Sequence, residues 1–511
     1  MPATRTAAPR KRAESLKPER TGTSPAARKD VPISAALTRL AAAAKIDSAP
    51  AGRTASALES FYSGGTARPG TAVPAASAGK ALRRTEALRP AGLIRSDKAL
   101  LDDIQRRAFL FFWENTDPKT GLTRDRAANF EEKETRDIAS IAATGFGLMA
   151  LGVARSRGWI TYEQAYERTL ITLKGYLGRK NTEHGWSYHF MHLHTGERVG
   201  TSEVSSIDTA LFLVGAVFAG RYFKGTEVER LAEKIYRRVD FPWMMTDGGK
   251  TPEKRTLSMG WMPEGGFLKD RWHEYSEHMI LSLLAMGSPT LPLPPEIWHA
   301  WTRRRGSYAG DESIASGPLF THQYSHMAVD FRGRRDRYAD YFENSKAATL
   351  ANRRFAIDQR KRYRTYGPDS WGLTASDGPD GYRAYGAPPG RAEHDGTVAP
   401  TAAGGSIVFT PELSIRALRH FMRKYGDRIW GRYGFSDAFN TDPRWKDRFN
   451  APGMWRSPDV IGIDQGIMLL MIENLRTGLI WKTIMSSPHI RRGMRAAGLR
   501  RTAKRSSPRR H

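Results

Sequence analysis

The chain is expected to fold as an all-α protein whose helices close into a double-layered toroid, an (α/α) barrel, with long loops and a few short strands. Three observations lead there. Apolar residues recur at helical spacing in stretch after stretch beyond residue 96, about ten to twelve in all. Stretches apolar on every side alternate with amphipathic ones, as buried inner helices alternate with the outer helices that cover them. No unit repeats at a fixed period, which favours a closed ring over an open solenoid.

The elements follow in order. Ser96 and Asp97 supply an N-cap for an amphipathic helix over 100–113. Residues 137–155 repeat Ile, Leu and Met at helical spacing, and 162–177 follow after a short Gly-Trp turn. Residues 207–223 are apolar nearly all round, with Ala and Gly that permit close packing. Residues 226–239 are amphipathic and charged, 277–286 nearly all apolar, and 295–305 amphipathic. Helices over 338–360, 411–425 and 464–476 complete the series. The best strand signals are 185–190 and 406–409. Three long Gly/Pro/Asp-rich loops, 247–268, 366–405 and 436–460, carry Trp261, Trp371, Tyr382, Tyr385, Trp445 and Trp455. Loops of that length in a compact domain are usually functional rims.

Charge divides the chain further. Of its 511 residues, 1–98 hold 18 Lys and Arg against 7 acids, 491–511 hold 9 against none, and the rest is nearly balanced, 53 against 46. Residues 1–95, rich in Ala, Pro and Arg, have few large apolar side chains and are expected to be a disordered extension, with one short helix over 36–45. Residues 491–511 are expected to be a disordered basic tail, leaving 96–490 as the folded domain. Such tails bind anions without specificity; no specific nucleic acid is implied. The N-terminal residues lack the apolar run of a secretory leader and are similar in composition to a transit peptide. With no cysteine there is no disulfide and no thiolate site. No apolar run approaches the roughly 18 residues that span a bilayer.

Chemistry is carried by three carboxylates, Asp208, Glu277 and Asp464, each near the start of an apolar helical stretch and close to aromatic residues. A toroid brings equivalent ends of its inner helices to one cavity, so these acids would face one another. Facing carboxylates beside aromatic rings are what glycoside hydrolysis needs: one protonates the leaving oxygen, another activates water or attacks. Asp208 and Asp464 also stand where helix caps stand, and a carboxylate tied up as a cap is a poor base, so the two roles compete.

Around them Glu203, Tyr275, His322, Asp330, Arg332, Trp371, Asp377, Asp395 and Asp437 are candidate substrate contacts. His322 and His326 are four apart, as metal ligands on one helix face would be, but lack the helical Glu of zinc hydrolases; no metal is expected. Their expected role is hydrogen bonding, to sugar hydroxyls or to Asp330 and Arg332. Asp377, Asp395 and Asp437 sit in Gly-rich loops, where Asp is also a turn former. Trp186, Trp371 and Tyr382 are candidate stacking platforms, with a core role equally open for Trp186. No P-loop, GxSxG or dinucleotide fingerprint occurs, and no cofactor is expected.

Several blocks occur in one order: Asp-Ile-Ala-Ser-Ile-Ala-Ala-Thr-Gly at 137–145, Ser-Glu-Val-Ser-Ser-Ile-Asp at 202–208, Trp-His-Glu-Tyr-Ser-Glu at 272–277, Leu-Phe-Thr-His-Gln-Tyr-Ser-His at 319–326, Trp-Gly-Leu-Thr-Ala-Ser-Asp-Gly-Pro at 371–379, Tyr-Gly-Phe-Ser-Asp-Ala-Phe-Asn at 433–440 and Ile-Asp-Gln-Gly at 463–466. In these the chain resembles the glycoamylase-like proteins of (α/α)6 fold, over roughly residues 97–485. That family includes bacterial endo-β-1,2-glucanases and the transglycosylase domain of cyclic β-1,2-glucan synthases. The resemblance implies cleavage of β-1,2-glucan, with Glu277 as general acid, Asp464 as general base acting through a relay of water or a substrate hydroxyl, and Asp208 lining the site. Two departures matter. Ser-Ser-Ile-Asp stands where Ser-Thr-Ile-Asp is usual. Glu274 stands beside Tyr275 where a smaller residue is commoner, which leaves the acid between Glu274 and Glu277. Glucan transfer on the same fold, and glycan or polyanion binding by the basic tails, are the alternatives.

Overall fold

The structure is a computed structural model; it describes residues 96–130, 134–179, 182–245, 247, 255–390 and 393–502. The expected helix at 36–45, the rest of the extension and residues 503–511 lie outside these. Helix α1 spans Asp97–Glu114, and the Ser96 hydroxyl accepts the Ala99 N–H at 3.2 Å as its cap. Next come α2 (Ile141–Ser156), α3 (Tyr162–Gly178), α4 (Ser206–Tyr222), α5 (Glu227–Arg237) and α6 (Met279–Gly287). The second half holds α7 (Tyr324–Ala328), α8 (Tyr341–Asp358), α9 (Pro400–Gly405), α10 (Pro411–Ile429), α11 (Gly462–Arg476), α12 (Leu479–Met485) and α13 (Pro488–Ala496).

Burial separates the helices as the patterning requires. In α2 and α4 nearly every residue is buried, whereas α3, α5 and α10 bury one stripe. The packing runs in a cycle: α2 against α4, α4 against α6, α6 against α7, the 3-10 turn Leu319–His322 against α9, α9 against α11, and α11 back against α2. Outside this cycle α1 covers α11 and α2, α3 covers α2, α5 covers α4, α13 covers α6, and α10 covers α9 and reaches α1. Helices α2 and α4 approach each other closely. A Cβ on Gly145 would lie 2.5 Å from the Leu211 carbonyl oxygen, and one on Gly215 2.3 Å from the Gly145 oxygen, so only glycine fits at this crossing.

The strands are short and antiparallel, and three of them precede inner helices. Ile138–Ser140 pairs with Thr123–Arg124 and Phe190–His192 before α2. Val204–Ser205 pairs with Gly260–Met262 before α4, and Asp459–Ile461 with Arg126–Ala128 before α11. Each fixes the level at which its helix begins. Among the described residues no helix is long and apolar enough to cross a membrane.

Four expectations are corrected. Residues 406–409 are not a strand: α9 ends at Gly405, whose neighbour Gly404 packs on Met468, and Pro411 at once starts α10. The helix over 295–305 shrinks to Glu296–His299, because Arg303 turns back and donates to the Trp298 and Trp301 carbonyls that a helix would have used itself. The helix expected from 277 begins at Met279, which leaves Glu277 in the preceding turn. The expected boundary at 490 falls inside α13. Ile490, Gly493 and Met494 are buried against α6, and Arg500–Arg501 pairs with Arg334–Arg335, so residues 491–502 are part of the fold.

Candidate active site

A cavity of about 50 Å3 opens where the inner helices begin. His189, Asp208, Glu277, Tyr324, Tyr382 and Ile463 line it. Its charged groups come from three places in the chain.

Asp208 is the third residue of α4, and Ser205 is its N-cap. The Ser205 hydroxyl donates to Asp208 Oδ2 at 2.5 Å and accepts the Asp208 N–H at 3.3 Å. The cap role therefore falls to the serine, and Asp208 Oδ1 is left to face His189 Nε2 at 3.5 Å. On the other side of the ring, His189 Nδ1 lies 3.2 Å from Glu203 Oε1. Burial works against a charged imidazole here, but Asp208 and Glu203 outweigh it and push His189 up to about 9. His189 is thus a cation between two carboxylates. The three groups have donor atoms close enough together to hold a metal. With both ring nitrogens turned to carboxylates, they fit an ion cluster rather than a chelate.

Glu277 is held by its backbone. The Ser325 hydroxyl of α7 donates to the Glu277 carbonyl at 2.6 Å and accepts the Ile280 N–H at 3.0 Å, pinning the turn to the start of α6. The Ser276 hydroxyl donates to the Glu277 carboxylate. Burial, with the nearby Asp208 charge, pushes the Glu277 carboxyl up to about 7 despite that bond. A carboxyl in this condition is a proton donor near neutrality. Glu274, three residues earlier, ion-pairs with Arg304 on the surface.

Asp464 is the third residue of α11; the cap position is held by Ile461, and no side chain caps this helix. The competition between cap and base does not arise. Asp464 is buried and its carboxyl contacts that of Asp437, which is wholly buried behind it. Burial pushes Asp464 up to about 7, with Asp377 and Asp125 adding to the effect and the Asp437 hydrogen bond opposing it. Asp437 Oδ2 accepts the Asp377 N–H at 2.8 Å. The Asp377 carboxylate accepts from Ser457 Oγ at 2.7 Å and from Arg126 Nη1 at 3.2 Å. Arg126 also pairs with Asp125 and Asp459. The phenol of Tyr324 is within electrostatic reach of Asp464, Glu277 and Asp208 together, and Tyr382 of Asp464 and Asp437.

The other candidates divide by position. Glu203 joins the site through His189, and Tyr382 lines it. Asp464 follows the lining residue Ile463, and Asp437 and Asp377 are linked to it one behind the other; none of the three carboxylates itself borders the cavity. Tyr275 and His322 form a wall layer: both are buried, and the phenol donates to His322 Nδ1 at 3.1 Å while Nε2–H reaches the Ser316 carbonyl at 3.2 Å. Burial keeps His322 neutral, pushed down to about 4. His326 lies in α7 rather than on one helix with His322, and bonds the Tyr341 carbonyl.

Trp371 and Trp186 are fully buried core residues, not platforms; the indole of Trp186 donates to the Asp240 carbonyl. Asp395 organises its own loop, accepting from Tyr385 Oη and the Thr397 N–H, both at 2.9 Å. Asp330 and Arg332 pair with each other, and Arg332 lies over the Trp481 ring. The Trp481 backbone N–H donates to Asn474 Oδ1, ten residues along α11 from Asp464 and so about 15 Å away along the axis. Asp330 and Arg332 therefore serve the far end of α11. The sequence leaves His189, Tyr324 and Arg126 unmarked as site residues. The local signal of His189 is no more than its place in the expected strand 185–190, where the structure has a bend between two short strands.

Residues 269–488 match the Glycoamylase family model. The endo-β-1,2-glucanase of Chitinophaga pinensis, solved with sophorotriose and glucose, aligns with a TM-score of 0.70 at 31% identity, over 80% of this chain and 99% of its own. The chain belongs to the glycoamylase-like family. A β-1,2-glucanase structure from Parabacteroides distasonis aligns with a TM-score of 0.71 at 28% identity, over 79% of this chain and 60% of its own. The exo β-1,2-glucooligosaccharide sophorohydrolase of the same organism is 30% identical over 437 residues, 78% of this chain. The chain spans 58% of that curated relative's length. In this glycoamylase-like chain the segment matched by the family model holds Glu277, Asp437 and Asp464, while His189, Glu203 and Asp208 precede it.

Proposed function

We propose that the protein is a glycoside hydrolase that cleaves β-1,2-linked glucan, with Glu277 as general acid and Asp464 as general base. One observation carries this reading: Glu277 lines the cavity, Asp464 follows the lining residue Ile463 and is within electrostatic reach of the lining phenols Tyr324 and Tyr382, and burial raises both carboxyls to about 7. Glu277 delivers its proton to the glycosidic oxygen as the bond to the anomeric carbon breaks. Asp464 takes a proton from the incoming water, directly or through a hydroxyl of the substrate. Asp208, steadied by the His189 cation, keeps the Glu277 proton in place through its charge. The rings of Tyr324 and Tyr382 offer surfaces to sugar faces. The packing cycle of the helices supports an (α/α)6 toroid with the cavity at the start of its inner layer. Endo action is supported by the near-complete coverage of the Chitinophaga enzyme, against the 58% coverage of the exo-acting relative.

The test is to incubate the full chain with linear β-1,2-glucan and resolve the products by size. Short oligosaccharides are expected, and Glu277→Gln should slow their release by about 10²–10⁴-fold with the fold intact. Unchanged turnover in that variant refutes the assignment of the acid. Products longer than the substrate would mean transfer in place of hydrolysis.

A further inference from the structure

Asp437 belongs to none of the steps above, yet it is the most deeply buried acid of the site, with no exposed surface. Its Oδ2 is taken by the Asp377 N–H, and its Oδ1 has no donor among the described protein groups. Asp464 Oδ2, on the carboxyl that it contacts, likewise has none. Two buried carboxylates in contact cannot both be ionised: the repulsion at low dielectric is removed when one proton stays between them. No cation prevents this. Arg126, the nearest, is engaged by Asp377, Asp125 and Asp459. The remaining titratable neighbours are Tyr324 and Tyr382, which burial and these same acids keep protonated.

We propose that Asp437 is a positioning residue for the base: it retains a proton and donates it in a hydrogen bond to Asp464, so that the pair carries one negative charge, lodged on Asp464. This rests on the reading of Asp464 as base. The alignment has a fixed source, because Asp437 is oriented by the Asp377 N–H, and Asp377 by Ser457 and Arg126. In turnover the water O–H bond breaks and its proton joins Asp464, while the oxygen bonds the anomeric carbon. The pair then holds two protons. One leaves to solvent and one returns to Glu277 from solvent before the next cycle, so the Asp437 proton is not consumed. Its function is to keep Asp464 ionised, in a site whose burial would otherwise protonate it.

The experiment compares Asp437→Asn with Asp437→Leu in full pH–rate profiles on linear β-1,2-glucan, with Asp464→Asn alongside. Asn keeps a neutral donor: its oxygen can accept the Asp377 N–H and its amide can donate to Asp464. Asp437→Asn is expected to hold kcat within about threefold, with the acidic limb unmoved. Asp437→Leu removes the donor; it should raise the acidic limb by about one pH unit or more and cut kcat about tenfold or more, with KM little changed. The proposal is overturned if Asp437→Asn loses as much activity as Asp437→Leu, which would mean that charge at 437 and not a donor is required. It is equally overturned if the Leu variant, folded by circular dichroism, leaves the limb where it was. Full activity in Asp464→Asn would instead refute the base assignment on which it rests.

Discussion

Replacing Glu277 by Gln should make the protein more stable, by an amount that depends on pH. The Glu277 carboxyl sits at about 7 in the fold, against an ordinary 4.5. A carboxyl raised in this way holds its proton more tightly folded than unfolded. Its contribution to stability is complete below pH 4.5 and is lost as pH rises through 7. The gap between the two values corresponds, at about 1.36 kcal/mol per pH unit, to roughly 3 kcal/mol once the pH exceeds 7. Glu277 is buried, with 8% of its surface exposed, so solvent screening takes little from this figure. Gln stays neutral throughout. Relative to its value at pH 4, the advantage of the variant should be about 1 kcal/mol at pH 5, about 2 at pH 6 and about 3 at pH 8. Differences unrelated to ionisation, including the altered bond from Ser276, are common to every pH and cancel. The assay is chemical unfolding of both proteins across pH 4–8, followed by tryptophan fluorescence. An advantage that stays constant within about 0.5 kcal/mol over that range would show that Glu277 ionises as a solvated glutamate does, and would remove the physical basis for its role as acid.

Three further outcomes follow from the same structure. Under the proposed roles, with Glu277 acting protonated and Asp464 ionised and both near 7, activity should be a narrow bell centred near pH 7, and only about a quarter of molecules are then correctly protonated at the maximum. A plateau more than about two pH units wide would contradict it. Gly215→Val should cost about 3 kcal/mol or more, read as a fall in Tm or loss of soluble protein, because its Cβ would stand 2.3 Å from the Gly145 oxygen; an unchanged Tm refutes the close crossing of α2 and α4. A chain ending at 490 should aggregate, having lost most of α13 from the face of α6, while one comprising residues 96–502 should keep its activity; equal behaviour of the two would make α13 dispensable.

The legible part of the fold was the part set by local pattern. Residues 141–156 and 206–222 are apolar on all sides, and a helix of that kind has nowhere to lie but inside. Asp208, Glu277 and Asp464 could be picked out because each stands at the mouth of such a stretch. What stayed hidden was set by contacts far apart in sequence. Asp377 and Asp437 read as turn formers in Gly-rich loops, and only the fold shows them linked to Asp464 and Arg126. His189 looks like any strand residue until Glu203 and Asp208 close on its two nitrogens. Residues 406–409 have the composition of a strand but no partner strand to pair with. Asp330 and Arg332 have side chains of the kind a site uses, and only the fold shows them paired with each other beside Trp481.

The contact of α1 with α11 has a temporal meaning. The first helix, Asp97–Glu114, finds its partner in Gly462–Arg476, so nearly 350 residues must be made before the two can meet. At about 5–20 residues per second, that is an interval of roughly 20–70 s on the ribosome. Throughout it, the apolar flank of α1 that will bury Leu100, Ile104 and Phe111 has no final cover. Asp464 arrives with that same late helix. An incomplete chain therefore carries an uncovered apolar surface, and the nascent protein needs shelter until α11 is made.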